Sequence, residues 1–167
     1  MRRNVELKAR LRSLDDAREV ARRVANGRAD QQDQVDTYFC CRQGRLKLRE
    51  IEGRAAQLIW YARADQPAAR QSHYFLLEVS QPTRLKEILG AALGIRCTVK
   101  KHREIYLCSN VRIHLDRVEG LGCFVEFEAV MAAHDDPATA HAQLQWLSRE
   151  FGIASPAVQA CSYGDMA

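Results

Sequence analysis

Short stretches of strict alternation between charged and apolar residues recur along the chain: Glu6-Leu7-Lys8, Arg45-Leu46-Lys47-Leu48-Arg49, Arg112-Ile113-His114-Leu115-Asp116 and Glu126-Phe127-Glu128. A period of two is the signature of an extended strand, whose successive side chains point to opposite faces. The leucines and phenylalanine therefore share one face and the charges the other. A solvated sheet face would mix Thr, Ser, Gln and Lys. Here full charges of both signs gather on one side, as along the wall of a cleft.

The same pattern predicts strands over 3–11, 36–40, 45–51, 57–63, 72–79, 98–108, 111–118 and 123–131, with hairpin signals at Gln43-Gly44, Ser109-Asn110 and Gly120-Leu121-Gly122. Three stretches carry helical spacing instead. Ser13 is a plausible N-cap with Asp15 and Asp16 in the first turn, Leu14, Ala17, Val20, Ala21 and Val24 form a stripe, and Gly27 ends it. Pro82 opens a second helix that Gly94 stops, and Asp136-Pro137 opens a third that ends at Gly152. Asp65 to Ala69 is a loop, Trp60 is expected to pack under a helix, and the residues after Ser155-Pro156 form a short tail. Strands in hairpin succession exclude repeated βαβ units and indicate an antiparallel α+β fold. Closing eight strands into a barrel puts one alternating set inside. If the three helices cover the apolar set from outside, the charged set lines a wide, wet tunnel.

Composition narrows the class. With 167 residues, 47% apolar and 28% charged, the chain is ordinary globular material and is expected to form one domain over 1–167. No apolar run approaches a membrane-spanning length. The charged N-terminus lacks the apolar centre of a signal peptide, which points to the cytoplasm. The six cysteines show no C-x-x-C spacing and are expected to be reduced, half-buried thiols. A net charge of +4 suits anionic small ligands and is too mild to favour nucleic acid. Oligomeric state stays open, a homodimer included.

Glu126-x-Glu128 sets two carboxylates on one strand face about 7 Å apart, and Glu6 could join them from another strand. Such oxygen donors suit a hard divalent cation, although an isolated pair is more often a solvated acidic edge. Arg45-x-Lys47-x-Arg49 aligns three cations whose repulsion asks for an anion, a triphosphate being a natural one, or for acids on the next strand. Arg63, Arg103 and Arg112 would enlarge the patch. His114 is expected to be a hydrogen-bonded barrel residue, and Tyr61, Tyr74 and Tyr163 to serve packing before stacking on a base. Neither a Gly-rich phosphate loop nor a nucleophile elbow is present.

Asn4-Val5-Glu6-Leu7-Lys8 resembles the N-terminal E-x-E-x-K signature of the CYTH superfamily, which includes class IV adenylyl cyclases and thiamine triphosphatases. Gly44 to Arg49, His114 to Gly122, Phe124 to Glu128 and Ser162-Tyr163-Gly164-Asp165 resemble its later segments in order, nearest the class IV cyclase branch. The resemblance implies an eight-stranded antiparallel tunnel that binds a nucleotide or other triphosphate with Mg²⁺ or Mn²⁺. It implies Glu6, Glu126 and Glu128 as metal ligands and Lys8, Lys47, Arg49, Arg63, Arg103 and Arg112 as phosphate contacts. Asp116 and Lys8 would assist the chemistry. Asn4 departs from the signature by replacing its first Glu, which removes one charge from the metal end. Arg70 stands where cyclase-like relatives often carry lysine. The implied reaction is conversion of ATP to cyclic AMP and pyrophosphate, the alternatives being hydrolysis of inorganic, thiamine or nucleoside triphosphate, or non-catalytic binding of polyphosphate or nucleic acid.

Overall fold

Every alternating stretch lies in a strand, and every strand finds two neighbours. The computed structural model describes residues 1–27, 30–132 and 134–167. Its strands are β1 (Arg2–Arg10), β2 (Asp30–Phe39), β3 (Arg45–Ile51), β4 (Ala56–Arg63), β5 (Arg70–Val79), β6 (Ile95–Cys108), β7 (Val111–Val118) and β8 (Gly122–Met131). They pair antiparallel in the closed order β1-β5-β4-β3-β2-β6-β7-β8. Closure by β1 against both β5 and β8 removes the sheet edges that an open eight-stranded sheet would expose. Strand β2 begins six residues before the predicted Asp36, because Gln31 to Gln34 carry no apolar alternation. That segment is held by pairing with β6, Gln32 opposite Arg103 and Gln34 opposite Lys101.

The apolar set faces outward, and helices cover it on every strand but β4 and β5, where Phe75 and Leu77 stay exposed. Helix α1 (Leu14–Val24) is capped by Ser13, whose Oγ accepts the Asp16 N–H at 3.2 Å, and it buries Leu14, Ala17 and Ala21. Helix α3 (Pro137–Glu150) buries Ala140, Leu144 and Leu147. Both lie in one cluster with Val5, Leu7 and Ala9 of β1, Ile113 and Leu115 of β7, and Val125, Phe127 and Ala129 of β8. Helix α2 (Pro82–Leu93) sets Leu85 and Leu89 against Phe39 and Leu48. Trp60 is not under it: the indole tilts against Phe75 at 5.9 Å on the outer face of β4 and β5, where Phe75 is itself exposed. Cys40, Cys41 and Cys161 are more exposed than the sequence suggests, and all six cysteines are free thiols.

The predicted tail instead ends in a fourth helix, α4 (Tyr163–Met166), fixed by a capping box between Ser162 and Asp165. It lies across one end of the barrel. Arg45 and Arg96 both reach the Asp165 carboxylate, at 2.8 and 3.0 Å. Gly164 sits so close to Tyr38 that an added Cβ would lie 2.8–2.9 Å from the ring. Gly164→Ala should therefore destabilise the fold by about 1–3 kcal/mol through overpacking, read as a lower denaturation midpoint in urea.

Candidate functional site

The inward faces of all eight strands enclose a cavity of about 520 Å³, open at the end where Arg2, Glu78 and Arg112 are exposed and closed at the other by Ser162 and Tyr163. Among the described residues, eight cationic and four acidic side chains face it, so anions are favoured within. The charges are sorted along the bore.

Five of the eight cations, Lys8, Lys47, Arg49, Lys101 and Arg103, lie deep in the barrel. Asp36, wholly buried on β2, accepts from Lys47 Nζ at 2.9 Å, from Arg49 Nε and Nη2 at 2.7 and 2.9 Å, and from Lys101 Nζ at 2.7 Å. Burial alone would raise its pKa, but Arg49, Lys101 and Lys47 hold the carboxyl well below the usual carboxylate range. Burial and then Arg49 push Lys47 down to about 8. Arg103 grips Asp116 through two bonds of 2.7 and 2.6 Å and touches Glu126 at 3.2 Å. The Tyr163 hydroxyl donates to the same Asp116 at 2.7 Å, and Lys8 Nζ sits 3.7 Å from the centre of the Tyr163 ring. Asp116 is thus enclosed behind Arg103, held near pH 2 by that guanidinium against the opposing effect of burial.

Nearer the mouth lie Glu6 and Glu128, with Glu126 reaching in to the level of Lys8 and Arg103. The β1 to β8 register sets Glu6 opposite Glu128 and Lys8 opposite Glu126. Glu6 meets Arg63 at 3.1 Å and Arg70 at 3.6 Å. Burial, then the Glu126 charge, raises Glu6 to about 7. Glu128 accepts from Asn4 Nδ2 at 2.5 Å and from Arg112 at 3.4 Å, while His114 Nε2 lies 4.0 Å away. His114 departs from the sequence reading: it is buried without a hydrogen bond to Nδ1, and burial followed by Arg103 lowers its pKa to about 3. Asn4 Oδ1 and Arg63 Nε are likewise buried without hydrogen-bond partners. Buried polar atoms are normally satisfied, so these orphans point to a polar ligand.

These donors fit a hard divalent cation by chemistry: three carboxylates and an unpartnered amide oxygen, with Glu6 raised first by burial and then by the Glu126 charge, which a cation would offset. Among the described residues, no three acidic, imidazole or thiol groups converge as a complete metal cage. Magnesium characteristically needs only one or two carboxylates when phosphate oxygens complete its shell.

The wall of β4 and β5 differs. Ile59 pairs with Leu76 and Tyr61 with Tyr74, all four facing the cavity. They form an apolar and aromatic shelf in a charged bore, and Tyr61 also packs against the core cluster of Tyr38, Phe124 and Tyr163.

Asp36 and Lys101, in the deep cluster, are charges that the sequence reading left unassigned, as are Arg2 and Glu78 at the mouth. The parity Gln32, Gln34, Asp36, Tyr38 would have found Asp36. Lys101 was hidden because Lys100, Lys101, His102 and Arg103 are polar on both faces.

Comparison with functionally curated proteins finds no significant match. Among solved structures, the PH1012 protein of Pyrococcus horikoshii superposes with a TM-score of 0.86 at 23% identity, covering 97% of this chain and 98% of its own. A Vibrio parahaemolyticus protein described as a "putative adenylate cyclase" gives 0.74 at 21%, covering 98% and 96%. HpAC1 of Hippeastrum, described as having a dominant triphosphatase activity, gives 0.65 at 14%, covering 97% and 91%. At these identities the likeness is one of fold. The CYTH domain pattern matches residues 2–162. With the barrel and the sorted charges in place, that match assigns the chain to the CYTH domain family.

Proposed function

We propose that the chain is a metal-dependent enzyme that converts ATP to cyclic AMP and pyrophosphate, in the manner of class IV adenylyl cyclases. The observation that carries this reading is the order of groups along the bore: the shelf with Glu6 and Glu128 toward the mouth, Glu126 beside Lys8, and a cluster of five cations toward the closed end. Along β1 the order runs from exposed Arg2 through Asn4 and Glu6 to buried Lys8. A nucleotide entering with its phosphates first places its β- and γ-phosphates among Lys8, Lys47, Arg49, Lys101 and Arg103. Its α-phosphorus then lies level with Glu6, Glu126 and Glu128, and its nucleoside rests on Ile59, Leu76, Tyr61 and Tyr74. Attack by the ribose 3′-hydroxyl on the α-phosphorus expels pyrophosphate into the cations that already hold it.

A divalent cation bound at the carboxylate end, Mg²⁺ or Mn²⁺, would neutralise charge on the α-phosphate and make the hydroxyl more acidic. The protein's own part is positioning and charge, the two things phosphoryl transfer requires most. Arginine and lysine hold the leaving pyrophosphate. Lys8, between Glu126 and the Tyr163 ring, follows the charge that develops on it. Asp116 orients Arg103 and does not meet substrate. Arg63 and Arg112 flank the carboxylates and contact the α-phosphate side.

Hydrolysis of the terminal phosphate would be better served by an available carboxylate at the deep end, where Asp36 and Asp116 are instead taken up by Lys47, Arg49, Lys101 and Arg103. Incubation with ATP and Mg²⁺ or Mn²⁺, with separation of products, tests the reading. Cyclic AMP and pyrophosphate are expected. Orthophosphate would replace the cyclase by a triphosphatase, and absence of both products would leave neither.

Lys47 gives the binding step a pH dependence. It loses its proton through about pH 8 in the folded chain, and an anion favours the protonated form. Triphosphate affinity should fall as pH rises past 8, and binding at pH 8 should take up protons. Calorimetry in buffers of different ionisation enthalpy measures both.

A further inference from the structure

We propose that this chain takes a single divalent cation, held by Glu6 and Glu126, and that Asn4 fixes Glu128 outside its coordination as a hydrogen-bonded brace. The inference rests on the metal-dependent reading above and deepens it.

The three carboxylates are not equivalent. A carboxylate oxygen only accepts, so the Asn4 contact of 2.5 Å must be the Nδ2 amide donating to Glu128 Oε1. The other Glu128 oxygen faces Arg112 at 3.4 Å. Both oxygens are therefore engaged by donors on the mouth side. Asn4 is almost fully buried at 4% exposure, so its amide has no solvent alternative and stays in that bond. Glu6 and Glu126 are held differently. Each meets arginine at 3.1–3.2 Å, Glu6 through Arg63 and Glu126 through Arg103, and Arg103 keeps two bonds to Asp116 if Glu126 turns away. Two carboxylates completed by phosphate oxygens make an ordinary magnesium shell, in keeping with the absence of a three-group cage among the described residues.

A second cation would need Glu128 together with a further anionic donor at position 4. Asn4 supplies a neutral amide there and turns its N–H₂ toward Glu128, the end a cation avoids. The asparagine is thus a positioning residue that sets metal number.

Titrating Mn²⁺ alone into the full chain, with free ion followed by electron paramagnetic resonance, should give one site. Glu6→Gln and Glu126→Gln should each weaken it by about tenfold or more, and Glu128→Gln by less than about threefold. Asn4→Glu should raise the stoichiometry from one to two, a change that a merely structural asparagine would not produce. Two cations on the unaltered chain, a Glu128→Gln loss equal to that of Glu126→Gln, or one cation on Asn4→Glu would overturn the inference. Turnover is scored separately. One cation with the expected ligand dependence but no turnover removes the enzymatic reading alone; turnover with two cations removes this inference alone.

Discussion

Glu126→Gln is expected to lower turnover by about 10²–10³-fold while triphosphate affinity stays within a few-fold of the unaltered chain. The asymmetry follows from where Glu126 sits. It lies opposite Lys8 and beside Arg103, and although burial would raise its pKa, those cations keep the carboxyl ionised well below its ordinary value. Glutamine keeps the shape and loses the charge. Lys47, Arg49 and Lys101 are anchored on Asp36, and Arg103 on Asp116, so of the groups that hold the phosphates only Lys8 leans on Glu126. Burst-free steady-state rates with ATP and calorimetric titration with inorganic triphosphate separate the two effects. A parallel loss of rate and affinity would mean that Glu126 organises the phosphate site. Binding unchanged in a chain that never turned over, with a steep salt dependence for RNA, would instead favour a non-catalytic binder.

Most of the barrel is written in the alternation, since one face of six of the eight strands is covered by a helix and a shift of register by one residue would bury their charges in that contact. Seven of the eight strands are visible over most of their length. The exception is the first half of β2, where Gln31, Gln32, Asp33 and Gln34 are polar on both faces and only pairing with β6 decides their conformation. Helix α4 was equally hidden: it has four residues, too short for a periodic pattern, and exists because Ser162 and Asp165 cap each other and two arginines reach Asp165. In the site, parity alone places Glu6, Lys8, Lys47, Arg49, Arg112, Glu126 and Glu128 on the inner face. Parity does not tell which charges pair. That Asp116 lies behind Arg103 rather than in the open bore, and that Asp36 anchors three cations, depends on which strands become neighbours across the closed sheet. The Asn4 contact with Glu128 likewise spans 124 positions of sequence.

Asp36→Asn should destabilise the chain more than any change at the carboxylate end, by about 3–5 kcal/mol, because it leaves buried cations without their counter-charge. Three cations share this one carboxylate, so the cluster holds a net excess of positive charge even in the intact protein. The pKa shifts express that imbalance. Asp36 is driven down by its partners, whereas burial and neighbouring cations drive Lys101 and Lys47 down as well. The lone acid is strongly satisfied and the bases are not. An incoming triphosphate supplies the missing negative charge, so the same substitution that weakens the fold should leave anion affinity undiminished, with one competitor for the lysines removed. Thermal melts of Asp36→Asn should therefore fall by roughly 10 °C, about 2–4 °C per kcal/mol for a chain of this size. Inorganic triphosphate at a hundredfold excess over its Kd should return about 2.7 kcal/mol of the loss. A melt equal to that of the unaltered chain would show that the cluster carries no net stability. A melt that falls but does not recover with triphosphate would show that the three cations are structural and do not form the phosphate site.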